Sequence, residues 1–206
     1  MAVSTRPTAE TVALTSGRRL TLEEFFAIPE GPPNVELEEG ELIMTAQPHG
    51  RHQSLLLYLG AALIDHLRRN RVGRIWPEID VHLPGEARVY VPDLVFLTSE
   101  HLDRYSDEDG RIHGVPDLVV EIISPSTERR DRTTKLRVYQ QVGVAWYWLV
   151  DPDELIIQEY KLTPEGYLLA QSVPPGDAFT PGLFPGLTID LAALMGETVK
   201  TEEEPR

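Results

Sequence analysis

The apolar positions of this chain change period from segment to segment, between the 3.6 of a helix and the 2 of a strand. Thr21-Leu22-Glu23-Glu24 has the form of a capping box and predicts a short helix through Phe25 and Phe26, stopped before Pro29. Val35-Glu36-Leu37, Glu38-Glu39-Gly40 and Glu41-Leu42-Ile43-Met44 together predict a β-hairpin. From Arg51 to about Asn70, Leu55, Leu56, Leu59, Ala62, Leu63 and Leu67 recur at helical spacing, which predicts an amphipathic helix. Ile75 to Leu83 alternates, with Ile75, Ile79, Val81 and Leu83 on one face, and reads as one strand. After a turn at Pro84-Gly85-Glu86, Val89 to Leu97 predicts the next. Residues 99–114 predict a polar excursion with a short helix and a loop at Asp107-Glu108-Asp109-Gly110.

Leu118-Val119-Val120-Glu121-Ile122-Ile123 is apolar but for one residue and reads as a strand buried on both faces. Ser124-Pro125-Ser126-Thr127 breaks it. A helix is predicted from about Arg129 to Val142, ending at Gly143, the residue type favoured just past a helix C-terminus. Val144 to Val150 predicts a strand with Trp146 and Trp148 on one face and Tyr147 on the other. Turns at Asp151-Pro152-Asp153 and Pro164-Glu165-Gly166 lead into strands from Leu155 to Leu162 and Tyr167 to Ala170. Leu187 to Leu194 predicts a strand end and a short helix. The sum is an α/β (α+β) domain: a mixed sheet flanked by helices, with an N-terminal helix and hairpin and a C-terminal β-meander. We expect one domain over 19–195, between a flexible tail over 1–18 and an acidic tail over 196–206.

Composition narrows the function classes. The 206 residues suffice for one sizeable core. The absence of cysteine excludes disulfides, thiolate metal sites and a cysteine nucleophile, and fits a cytoplasmic protein. No apolar run reaches the roughly 20 residues of a membrane helix, and no signal-peptide pattern opens the chain. The net charge of −14 has the wrong sign for wholesale phosphate binding. The basic residues are nonetheless clustered, at Arg68, Arg69, Arg71 and Arg74 and at Arg129, Arg130, Arg132, Lys135 and Arg137. Such clusters read either as solvated helix faces or as a local grip on a phosphate backbone.

The candidate chemistry centres on Glu121. An unpartnered carboxylate inside a buried strand costs several kcal/mol, so it needs a cation, a metal or a proton. Val91-Pro92-Asp93-Leu94-Val95 and Val115-Pro116-Asp117-Leu118-Val119 each place an aspartate where a strand begins. For Asp117, loop-to-strand chemistry is a sufficient account. Asp93 differs, because its strand and that of Glu121 are expected to be neighbours. Two carboxylates meeting at one sheet end repel unless a cation lies between them, and an all-oxygen ligand set favours Mg²⁺ or Mn²⁺. Asp131, Lys135 and Tyr139 fall on one helix face. Lys135 either returns over the carboxylates or stays exposed in a pair with Asp131.

These residues resemble the PD-(D/E)XK nuclease superfamily and, within it, the Uma2 family. The stretches that carry the resemblance are Glu36-Leu37-Glu38-Glu39-Gly40-Glu41-Leu42, His52-Gln53, Val91 to Phe96, Pro116 to Thr127, Arg130-Asp131 through Lys135 and Tyr139, and Gly143 to Pro152. The resemblance implies a restriction-endonuclease-like core and metal binding by Asp93 and Glu121, with one or two ions. It implies Lys135 as the active-site lysine. Glu36 takes a second metal or holds the lysine, and His52 shuttles protons or serves as a hydrogen-bonding residue at the start of its helix. Tyr139 and Asp117 are candidate supporting residues, and Arg129, Arg130 and Arg132 are candidate phosphate contacts. Two departures stand out: Ile123 occupies the superfamily's lysine position, and Trp146 precedes Tyr147-Trp148 where the family often has an acid.

The leading expectation is a metal-dependent endonuclease acting on DNA, without a nucleotide cofactor. A homodimer is expected on the ground that duplex cleavage needs two sites. The alternatives are a catalytically weak or inactive module of the same fold that binds protein or nucleic acid, and a hydrolase of small phosphate esters.

Overall fold

A computed structural model describes residues 15–29, 35–44 and 49–198. Most of both expected tails, residues 1–14 and 199–206, lies outside the described residues. The first helix, α1 (Leu22–Phe26), has the expected capping box: Thr21 and Glu24 satisfy each other's backbone N–H groups. Next come the hairpin strands β1 (Val35–Glu38) and β2 (Glu41–Met44) and the long helix α2 (Gly50–Asn70). Leu55, Leu56, Leu59, Leu63 and Leu67 bury the inner face of α2, as their spacing predicts.

The two segments read as single strands, Ile75–Leu83 and Val89–Leu97, are each divided. The first gives β3 (Gly73–Pro77) and β4 (Val81–His82), and the second gives β5 (Val89–Tyr90) and β6 (Leu94–Thr98). Glu78, with φ of 43°, breaks the first segment, and Pro92, which has no N–H to give a ladder, interrupts the second. The halves enter different sheets. The polar excursion holds a 3₁₀ turn over Ser99–Arg104 and, beyond expectation, a small hairpin of β7 (Tyr105–Ser106) and β8 (Arg111–His113). There follow β9 (Leu118–Ile122), a helical run over residues 128–142, β10 (Trp146–Asp151), β11 (Ile156–Thr163), β12 (Gly166–Val173) and α3 (Leu191–Met195).

Two six-stranded mixed sheets result, in the orders β12-β11-β10-β9-β6-β3 and β2-β1-β5-β4-β8-β7. In the first, β9 and β10 are parallel, joined by the 128–142 helix, and the other pairs are antiparallel. Every residue of β9 is buried, because both faces of this sheet are covered. One face (Leu94, Phe96, Leu118, Val120, Ile122, Trp148) packs under α2 and the 179–192 segment. The other (Val95, Leu97, Val119, Tyr147, Leu149) packs under the 128–142 helix, with Val81, Tyr90 and Ile112 of the smaller sheet. Glu121 shares the face of Val119, so alternation along β9 aims it at the junction of sheet, helix and smaller sheet.

The 128–142 run is not one α-helix. Glu128–Arg130 is α-helical, Asp131–Lys135 forms a π-helical turn, and Leu136–Val142 is α-helical again. Gly143, with φ of 93°, takes the left-handed position that ends it, as the sequence predicts.

Candidate active site

The antiparallel register of β6 on β9, Leu94 against Val120 and Val95 against Val119, carries Asp93 to the place facing Glu121. Asp93 Oδ2 accepts the Ile122 backbone N–H at 2.6 Å, and Oδ1 lies 3.2 Å from His52 Nε2. His52 is in the first turn of α2 and buried. Burial opposes its charge, but the hydrogen bond and charge of Asp93 outweigh that and raise its pKa. His52 thus serves to orient Asp93 from across the sheet edge.

Glu121, 3 % exposed, accepts hydrogen bonds on Oε1 from Lys135 Nζ at 2.9 Å and Tyr139 Oη at 2.7 Å. Burial, and then the neighbouring charges of Asp131, Asp93 and Glu36, push its carboxyl up to about 8 against the pull of Lys135. Lys135 is also buried. Its ammonium lies 3.0 Å from Glu36 Oε1 and 3.7 Å from Asp131 Oδ1. Desolvation works against that charge, yet Glu121, Glu36 and Asp131 together raise its pKa, so the amine stays protonated. Of the two readings of Lys135, the helix returning it over the carboxylates is the one observed.

Glu36, from β1 of the smaller sheet, also accepts the Val91 N–H at 2.9 Å and pairs with Arg130. Despite its burial, Lys135 and Arg130 lower its pKa. It holds the lysine, which is one of the two roles weighed for it. Arg130 departs from expectation. Its guanidinium bridges Glu36 and Glu38, lies over the Tyr90 ring at 5.1 Å, and is half-buried, so it is a structural clamp and not a free phosphate contact. Arg132 is likewise engaged, with Glu128 and Asp151. Arg129 alone of the three is exposed without an ion-pair partner among the described residues.

Asp117 is drawn away from the site. It lies at the opposite end of β9 from Glu121, about 13 Å along the strand at 3.3 Å per residue. There its carboxylate accepts the Thr98 N–H at 2.8 Å and contacts His101 Nδ1 at 2.8 Å. This is the loop-to-strand role that its Pro-Asp context predicts. Conversely, sequence reasoning missed Glu38, Tyr90 and Arg130 as the clamp that carries Glu36. The signal was faint: alternation places Glu36 and Glu38 on one face of β1, away from the buried Leu37.

The donor set suits one hydrated hard cation. Among the described residues no group of three or more His, Asp or Glu side chains is arranged to cage a metal. Mg²⁺, however, is usually held by one or two carboxylates and completed by water and substrate phosphate. Asp93 and Glu121 supply that pair, and both hydrogen bonds to Glu121 fall on Oε1, leaving Oε2 for another ligand. Glu36, Asp93, Glu121 and Asp131 also bring four carboxyl groups against the two cations Lys135 and Arg130, and the charges of Asp131, Asp93 and Glu36 add to burial in raising the Glu121 pKa.

Comparison with known proteins bears on fold and family. A crystal structure described as that of "a putative nuclease" from Anabaena variabilis is similar to the chain, with a TM-score of 0.70 and 24% sequence identity, over 86% of this chain and 98% of that one. The restriction-endonuclease-like fold expected from the sequence therefore stands. The type IIG restriction endonuclease BpuSI matches at 16% identity over 66% of this chain and 15% of its own, with a TM-score of 0.37, too low to carry an argument. No curated protein matches the chain. The family model Uma2, described as "Putative restriction endonuclease", matches residues 22–192. That span takes in both sheets and every member of the carboxylate–lysine cluster, and the chain belongs to the Uma2 family.

Proposed function

We propose that the chain is a divalent-metal-dependent endonuclease that hydrolyses phosphodiester bonds in DNA. One observation carries the reading. Two carboxylates, Asp93 just before β6 and Glu121 on β9, face each other at a sheet end beside a lysine held in its charged form. A core needs no such cluster, since well-packed apolar residues there are often as stable or more so.

In this reading Asp93 and Glu121 hold Mg²⁺ or Mn²⁺, as one or two ions. The ion supplies Lewis acidity toward a phosphate oxygen and a lowered pKa for a bound water. Lys135 stabilises the charge that develops on the phosphate oxygens. It is no general base, because three carboxylates keep it protonated. Tyr139 fixes Glu121, His52 fixes Asp93, and Glu36, clamped by Arg130, fixes Lys135. Two copies of the chain would act on the two strands of a duplex. The exposed Leu57, Tyr58 and Ile64 on α2 offer an apolar surface for such pairing.

A second reading, a nuclease-fold module that binds without cleaving, is favoured by the burial of Lys135, whose side chain is only 5% exposed. Cleavage of supercoiled and single-stranded DNA with Mg²⁺ or Mn²⁺ separates the two. Wild type is compared with Glu121→Ala and Lys135→Ala, each checked for folding by circular dichroism. Metal-dependent nicking lost in both variants supports the nuclease, and a folded wild type inert on every DNA and RNA supports the module.

A further inference from the structure

Asp131 falls within the stretches that carry the family resemblance, but neither the resemblance nor the proposed chemistry gives it a role. It opens the π-helical turn that Lys135 closes, and it is 2% exposed. Its Oδ1 is buried with no hydrogen-bond partner among the described residues. A buried carboxylate oxygen left unpaired is costly, and native structures keep few of them without a reason. Lys135 Nζ lies 3.7 Å from Oδ1, just beyond hydrogen-bond length, and that ammonium is already shared between Glu121 and Glu36. A π turn inside an α-helix is rare and tends to mark functional positions. Here it sets the spacing of these two side chains.

We propose that Asp131 is a positioning residue, the second resting place of the Lys135 ammonium. The inference rests on the metal reading above. An ammonium 2.9 Å from Glu121 Oε1 is repelled by a cation that binds the same carboxylate. With Glu36 as pivot, closing the 3.7 Å gap to Asp131 takes a shift of about 1 Å to reach ordinary hydrogen-bond length. The lysine then draws back from the metal on Glu121, satisfies the unpaired oxygen and stays charged beside the site. Without metal the Lys135 ammonium rests on Glu121 Oε1, and the cation displaces it toward Asp131 instead of entering an empty cage.

Calorimetric titration with Mn²⁺ in the absence of DNA tests this through a double-mutant cycle of Asp131→Asn and Lys135→Met. Asp131→Asn is expected to weaken Mn²⁺ binding by about tenfold in the wild-type background, the usual scale for groups that orient metal ligands. In the Lys135→Met background it should change affinity by less than about twofold, since no ammonium remains to be moved. Equal losses in both backgrounds would mean that the Asp131 charge acts directly on the ion and would overturn the proposal, as would no loss in either. Asp131→Glu, which keeps the charge, should bind within about threefold of wild type; a loss as large as that of the Asn variant also overturns it. A wild type that binds no Mn²⁺ removes the metal reading and this role together, whereas normal Mn²⁺ binding with an inert Asp131→Asn removes this role alone.

Discussion

Burial, and then the charges of Asp131, Asp93 and Glu36, push the Glu121 carboxyl up to about 8 against the pull of Lys135, so the folded chain holds its proton more tightly than a free carboxyl does. The unfolded chain releases that proton near 4.5. The native state therefore binds more protons between these two values, and the associated stability, complete below 4.5, is lost as pH rises through 8. Thermal melts in chelator from pH 5 to 9 should show Tm falling by roughly 5 °C or more across this window. Glu121→Gln should flatten the fall, and a slope unchanged by that substitution would contradict the assignment. Lys135 has the opposite dependence on its neighbours. Lys135→Met leaves Glu36, Glu121 and Asp131 without their shared cation and should cost roughly 3–5 kcal/mol. Adding Glu36→Gln, which removes the carboxylate held ionised beside Lys135, should recover much of it, and denaturant unfolding of the single and double variants measures both. Of these residues Glu121 was legible from sequence as a charge in an apolar run. Asp93 and Lys135 could be named as candidate partners from a neighbouring strand and a helix face, but the packing that brings Glu36 from the other sheet onto the same lysine was legible only through the family resemblance.

Elements position these side chains, and two of them make close-packing predictions. Strand β3 lies at the edge of the larger sheet, and a Cβ on Gly73 would sit 2.1 Å from the Leu97 carbonyl oxygen and 2.6 Å from the Phe96 ring. The carbonyl belongs to a paired strand and cannot yield. Gly73→Ala should therefore destabilise by roughly 2–4 kcal/mol, read as a shift in the unfolding midpoint. At the far end of β9, Asp117 ties Thr98 and His101 to the strand. Asp117→Ala should lose roughly 1–2 kcal/mol of stability and leave Mn²⁺ affinity unchanged. A large loss of affinity would return Asp117 to the site. The period of each element was readable, including the capping box at Thr21 and the glycine stop at 143. The π turn at Asp131–Lys135 was not, because its residues continue the same helical spacing as their neighbours.

At the scale of the whole molecule, the −14 net charge opposes DNA at long range, and the structure makes that more severe. Arg130 and Arg132 are engaged by carboxylates of the chain itself. Of the three arginines weighed as phosphate contacts, only Arg129 then remains without an ion-pair partner among the described residues. We expect weak duplex binding without divalent ions and a shallow dependence of log affinity on log salt, with a slope of about −3 or less steep at 0.9 per phosphate contact. Fluorescence anisotropy at several salt concentrations measures it. A slope near −9 would show a broad basic interface that this charge distribution does not provide.

The linear pattern was enough to establish that β9 is a strand buried on both faces, that Glu121 within it requires a partner, and that a helix follows it and stops at Gly143 before the next strand. These follow from local rules, since period, burial and turn chemistry are properties of adjacent residues. What only packing in three dimensions decided is which sheet each strand joins and which charges meet. Ile75–Leu83 alternates and Val89–Leu97 is mostly apolar, each as one strand would be, yet each crosses between two sheets. Alternation reports which side of a strand is covered, not what covers it. In the same way, the arginine beside Lys135 looks like a free cation in sequence. It becomes a clamp only because Glu36 and Glu38, more than ninety positions away along the chain, fold against it.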